Sequence, residues 1–269
     1  MCKAICGVAA GACGGAINLH WAKGSDISDI QAKFGAQHTV TGSLGLVFAA
    51  FFAKSVSELE QKSLWSLYFV LTALHLFANM RCMQLIAFDS LNLVRCNMVI
   101  KEFLRGRSDT APTSTTNIIS GPETVSKREP LLFLRTPMAS KSSISFGISF
   151  NEFSRRSNKT MEELQDLARQ SLETGYLISC SGTRPRTGGV LVAFGVNATP
   201  RDKAKAYLHA VLLGDLIHQG HAVPDTETGA SDKLQELWPL FEKQCESAGW
   251  ILEKTEIRTQ GYELAFCAE

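Results

Sequence analysis

The distribution of charge constrains this chain more than any single motif. From Met1 to Arg105 it carries nine Lys or Arg and six Asp or Glu, about one residue in seven, with long neutral runs between them. The other 164 residues of the 269 carry eighteen basic and twenty acidic groups, the density expected of a water-soluble domain. The first part is therefore suited to lipid or another apolar surface, and the second to water. A formal net charge of +1 with 45% hydrophobic residues excludes disorder, collagen-like repeats and a basic protein that seeks polyanions, so no nucleic-acid partner is expected.

Three uncharged stretches organise the first part: Ala4 to Ala22, Gly35 to Ala53 and Ser63 to Met80. Each approaches the ~17–25 residues that cross a hydrocarbon core. Leu64, Trp65, Tyr68, Phe69, Leu74 and Phe77 make the third the only stretch that hydropathy would single out by itself, and it predicts one long helix continuing past Arg81 to Phe88. In the first stretch Gly7, Gly11 and Gly15 recur every fourth residue. On a helix they form a smooth stripe that lets another backbone approach closely, either in a membrane or at a tight crossing in a soluble bundle. Neither a signal peptide nor a transit-peptide composition is visible. The chain opens directly into a helix-like segment, which reads as a shortened product whose targeting sequence lies upstream or was never included.

The expected organisation is α+β: a hydrophobic helical domain over 1–105, a linker over 106–142 and a smaller α+β sandwich over 143–269. Gly, Ser, Thr and Pro crowd Arg107 to Pro122, and the linker holds one short strand at Leu131–Leu134. Ser143 to Phe150 alternates as a half-buried strand does. Thr160 with Glu163 has the spacing of a capping box, and Gly175 ends the helix they start. Tyr176–Cys180 and Gly189–Phe194 predict two strands. Helices follow from Thr199 or Pro200 to His218 and over Ser231–Ala248, and Trp250–Ile257 with Tyr262–Cys267 predicts a closing pair of strands.

Chemistry leaves a faint trace. No Walker loop, GxGxxG, GxSxG, HExxH or EF-hand loop occurs, which favours a protein that is not an enzyme and leaves catalytic residues unassigned. Eight cysteines without a Cys-x-x-Cys pair read as reduced intracellular thiols, and His218-x-x-His221 alone makes no metal site. Thr183 to Gly189, with two arginines, either cradles a phosphate or simply joins two strands. Cys180 reads as a strand-end residue and His209 as a packed, hydrogen-bonded one. Most weight falls on Asp29 and Lys33, an i,i+4 pair close to Gln37 and His38 between two apolar stretches. They are either a binding site or a salt bridge flanking a membrane.

Several blocks together carry a family resemblance. Gly7-Val-Ala-Ala-Gly-Ala, Asp29-Ile-Gln-Ala-Lys-Phe-Gly-Ala-Gln-His-Thr39, Leu74-His-Leu-Phe-Ala-Asn79 and Ser90-Leu-Asn-Leu-Val-Arg95 resemble the root UVB sensitive (RUS) family. Val125-Ser-Lys-Arg-Glu-Pro130, Val196-Asn-Ala-Thr-Pro200 and Lys205-Ala-Tyr-Leu-His-Ala210 match its later blocks in the same order. The chain keeps Asp29, Ala32, Lys33, Gln37, Thr39, Asn79, Asn92 and Arg95. It departs at Gln31, Phe34, His38 and Met80, as a diverged paralogue would, and the resemblance implies a further segment ahead of the glycine stripe, as in other members.

The resemblance implies roles in UV-B response, seedling and root development, auxin transport and vitamin B6 homeostasis, at membranes or in plastids. It supplies no active-site residues. Two readings follow. In the first, the protein is a membrane-associated, non-enzymatic scaffold that meets another RUS-family protein or itself. In the second, it carries a small ligand, a phosphorylated vitamin B6 form such as pyridoxal phosphate, with Asp29, Lys33, Gln37, Asn79, Asn92 and Arg95 as binding candidates.

Overall fold

The computed structural model describes residues 2–22, 26–57, 59–108, 119–130, 142–181, 189–219 and 223–257. Its contacts divide the chain into two compact units, Met1–Arg81 and Cys82–Glu269. The expected strand at Leu131–Leu134, the expected strand at Tyr262–Cys267 and the loop from Thr183 to Arg186 lie outside the described residues.

The first unit is helical. It holds α1 (Cys2–Trp21), α2 (Ile27–Val56) and most of α3 (Gln61–Leu85), which runs across the boundary into the second unit. Neither α2 nor α3 contains a single buried residue, although Val47, Phe48, Phe51, Phe69, Val70, Leu74 and Phe77 are among their side chains. Asp26 caps α2, its carboxylate accepting from the Ser28 backbone N–H at 3.0 Å. The hydroxyls along α2 bond back to their own helix. Thr39 donates to the Gly35 carbonyl at 2.9 Å, Thr41 to Gln37 at 2.8 Å and Ser43 to Thr39 at 2.9 Å. Each hydroxyl thus finds its partner without water or another element.

The second unit is built around one strand. β4 (Gly189–Phe194) is buried at every position and lies at the centre of a three-stranded sheet. β2 (Ile144–Phe146) runs parallel to it on one side and β3 (Tyr176–Ser181) antiparallel on the other. A strand covered on both faces needs apolar residues at successive positions, which Val190-Leu-Val-Ala-Phe194 supplies. Val190, Val192 and Phe194 face α8 (Pro200–Gln219). Leu191 and Ala193 face Phe153 of α6 (Phe150–Ser157) and Leu164 of α7 (Met161–Thr174). The period of two therefore sorts this strand between two cores.

The capping box expected at Thr160 is present, with the Thr160 side chain accepting from the Glu163 N–H and the Glu163 carboxylate accepting from Thr160. Gly175 closes α7 at φ 78°, a conformation glycine adopts without steric cost. The strand expected to reach Phe150 stops at Phe146. Gly147 turns the backbone at φ 69°, and Ser149 caps α6 by accepting from the Glu152 N–H at 3.3 Å. Phe150 consequently opens a helix.

α8 is the axis of the second unit, with twelve of its residues buried. On its far side it packs into a larger core with α4 (Leu93–Ser108), α5 (Pro122–Arg128), α9 (Val223–Ser247) and the parallel pair β1 (Ser90–Asn92) and β5 (Ile251–Glu256). Leu91, Cys96, Val99, Ile100 and Phe103 have no exposed surface. The segment Cys82–Arg105, which the charge distribution groups with the apolar part, thus contributes its side chains to the core of the α+β unit.

Candidate functional site

The candidate residues from the sequence fall into separate local groups. On α2 the Lys33 ammonium donates to the Asp29 carboxylate at 2.7 Å, and both side chains are exposed. Gln37 is exposed one turn further along. On α3 the Asn79 amide meets the His75 ring at 2.9 Å, again a pair one turn apart and exposed. Along α1, a Cβ added at Gly7, Gly11 or Gly15 would meet nothing within 4 Å, so the smooth stripe is open.

Asn92 and Arg95 converge in the second unit. β1 ends at Asn92, whose side-chain oxygen accepts from the Arg95 backbone N–H at 2.8 Å and so caps the start of α4. Arg95 Nε then donates to Glu129 Oε2 at 2.8 Å, and Asn92 Nδ2 donates to Glu129 Oε1 at 3.0 Å. Arg95 also donates to the Ser90 carbonyl at 3.2 Å and lies over the Phe88 ring at 5.1 Å. Side-chain exposure of only 11% for Arg95 and 12% for Glu129 makes this a nearly buried, closed pair. The guanidinium is therefore committed to protein partners. Glu129 is the residue missed by sequence reasoning, although it sits inside the Val125–Pro130 block that carried the resemblance.

A second carboxylate acts similarly. Glu227, on the first part of α9, accepts from the Ser179 hydroxyl at 2.8 Å, from the Cys180 N–H at 3.1 Å and from Lys159 at 2.8 Å. It fixes the middle of β3 to the turn before α7. Cys180 beside it is no nucleophile: burial first, then the charge of Glu227, pushes its thiol up to about 12. His209 is packed as expected, 7% exposed, with its Nδ1 sharing a hydrogen bond of 3.2 Å with the Tyr176 hydroxyl. Burial, aided by the positive charge of Lys205, lowers its pKa to about 4 and keeps the ring neutral at physiological pH. Among the described residues no three His, Cys, Asp or Glu side chains converge as a metal ion would need. His221 lies outside those residues.

Comparison with known proteins supplies what the geometry alone does not. Residues 1–107 match the family model described as a vitamin B6 photo-protection and homoeostasis domain. Residues 118–262 match the model for the C-terminal part of root UVB sensitive proteins. The chain belongs to the root UVB sensitive family. It is 25% identical over 260 residues to the protein root UVB sensitive 3 of Arabidopsis thaliana, covering 94% of this chain and 54% of that protein. It is 27% identical over 132 residues to RUS family member 1 of Dictyostelium discoideum, covering 49% of this chain and 23% of that one. The chain thus spans about half the length of the first of these relatives and less of the second. No solved structure matches it. As a RUS-family chain it carries α4 in the segment matched by the first family model while packing it into the α+β core.

Proposed function

We propose that this RUS-family protein is membrane-associated and non-enzymatic, with α2 and α3 held in the bilayer and the α+β unit in water as a docking module for another family member or a second copy. One observation carries the reading: α2 and α3, 30 and 25 residues long and rich in large apolar side chains, bury no residue against protein. At ~1.5 Å per residue each exceeds the ~30 Å hydrocarbon core. The distribution of polar groups agrees. Lys62 and Arg81 bracket the apolar part of α3, with Trp65 and Tyr68 toward one end, where interfacial aromatics belong. The hydroxyls of α2 satisfy themselves on their own backbone, and Lys33 and Asp29 pair near its start. In this setting the open stripe of Gly7, Gly11 and Gly15 suits close approach by another helix.

Carbonate extraction of the chain expressed in plant cells tests the reading. Retention in the membrane pellet is expected, and release into the soluble fraction would defeat it.

The second reading, a carrier for a phosphorylated vitamin B6 form, draws on the family model that covers 1–107. Arg95 is engaged by Glu129 in a nearly buried pair, whereas Lys33 pairs with Asp29 at an exposed position, which leaves Lys33 as the candidate cation for the phosphate. If Lys33→Met leaves pyridoxal phosphate binding unchanged, that reading is removed.

A further inference from the structure

A cavity of about 130 Å³ lies within the α+β unit, between α7, β3, α8 and α9. Its apolar wall is formed by Leu167, Leu177 and Leu234, and its polar side by Lys205, His209 and Ser231. Among the described residues lining it, none carries a carboxylate. Lys205 is half-buried and forms no ion pair with any described residue. Asp202, earlier on α8, acts on Tyr176, and its Oδ2 is occupied by the Thr199 N–H and hydroxyl at 2.9 and 2.6 Å. His209, one turn beyond Lys205 on α8, is desolvated and bonded to Tyr176, so it contributes a neutral ring.

An ammonium on a cavity that opens to solvent, with no carboxylate among the described lining residues, is a ready partner for an anion. We infer that this cavity binds a small organic carboxylate, its head group on the Lys205 ammonium with the Ser231 hydroxyl at hand, and its apolar body against Leu167, Leu177 and Leu234. Three features set that class. A single ammonium without a guanidinium suits a monoanion better than a phosphate, which arginine clamps serve. The apolar wall asks for a hydrocarbon body. The volume limits its size, since an apolar cavity of about 150 Å³ takes up benzene. The site lies in the water-soluble unit and is independent of how α2 and α3 meet a membrane.

Benzoate and its neutral counterpart benzamide are the probes, titrated into the detergent-solubilised full chain and followed by ligand-observed nuclear magnetic resonance. Benzoate is expected to bind saturably at millimolar concentration or below, at least tenfold tighter than benzamide. Lys205→Met should weaken benzoate at least tenfold and leave benzamide unchanged, whereas Lys205→Arg should retain benzoate. Leu167→Trp, which fills the cavity, should abolish binding of both, and an unchanged unfolding midpoint identifies variants that fold. Equal binding of the two probes, an unaffected Lys205→Met variant that folds, or no saturable benzoate binding up to 10 mM, a concentration on the order of the weakest useful affinities, overturns the assignment.

Discussion

Arg95 and Glu129 show how a residue that sequence reading offers as a ligand can be a structural one. Their charges are nearly buried and meet through 2.8 Å, with Asn92 holding the second carboxylate oxygen. Removing one member leaves a buried charge without its partner, which costs about 3–5 kcal/mol. Arg95→Met should therefore lower the thermal midpoint sharply, and the Arg95→Met/Glu129→Gln double variant should lose less than the sum of the single ones; differential scanning fluorimetry reads both. His209 provides a pH dependence. Its unfolded ring takes a proton near pH 6.5, while burial holds the folded ring to about 4. The unfolded state thus binds more protons in that window, and stability falls as pH drops from about 6.5 to 4. The loss for this group reaches ~3 kcal/mol at the lower end. Replacing it by Gln should flatten the fall in unfolding midpoint between pH 7 and 4.5 relative to the parent protein.

At the scale of elements, α2 and α7 illustrate opposite sources of helix stability. α7 is amphipathic, capped at both ends and packed on β3, so local signals and burial agree. α2 buries nothing, and its apolar residues point in every direction. Such a helix is stable where its surroundings are apolar. Asp at Val47 or Phe48, near the middle of its uncharged run, is expected to weaken membrane insertion by ~2.5–3.5 kcal/mol per substitution. Replacing both should move the protein from the carbonate-resistant pellet into the soluble or aggregated fraction, and an unchanged partition would count against a spanning α2.

Over the whole molecule, the compact units and the family models divide the chain at different places. The packing boundary falls between Arg81 and Cys82, whereas the matched models end at residue 107 and begin at 118. α4 accounts for the difference, because Cys96, Val99, Ile100 and Phe103 complete the core formed by α8, α9 and β5. β1, just before it, is the hydrogen-bonding partner of β5. A fragment spanning 82–269 should consequently fold with a cooperative thermal transition. One spanning 109–269 lacks these side chains and the partner of β5, and should show no such transition by circular dichroism.

Much of this architecture was legible in the sequence, where local rules decide it. The neutral stretches of the first part, the Thr160 capping box, the glycine stop at 175 and the strands around Tyr176 and Gly189 depend on composition, caps and period, which neighbouring residues settle among themselves. The end of β2 escaped because Gly147 and Ser149 turn an alternating run into a helix start, and alternation carries no information about such a turn. The partners of Asn92 and Arg95 escaped for a different reason. Glu129 lies 34 residues from Arg95, and only the packing of α5 beside α4 brings the carboxylate to the guanidinium. The cavity beside Lys205 likewise exists because α7, β3 and α9 meet around α8. Sequence by itself determined the neutral apolar stretches and those elements whose caps, stops and period are local, such as α7, β3 and β4, since these follow from short-range sterics and hydropathy. Tertiary structure alone decided that Arg95 meets Glu129 and Lys159 meets Glu227, because those pairings depend on contacts between residues far apart in the chain.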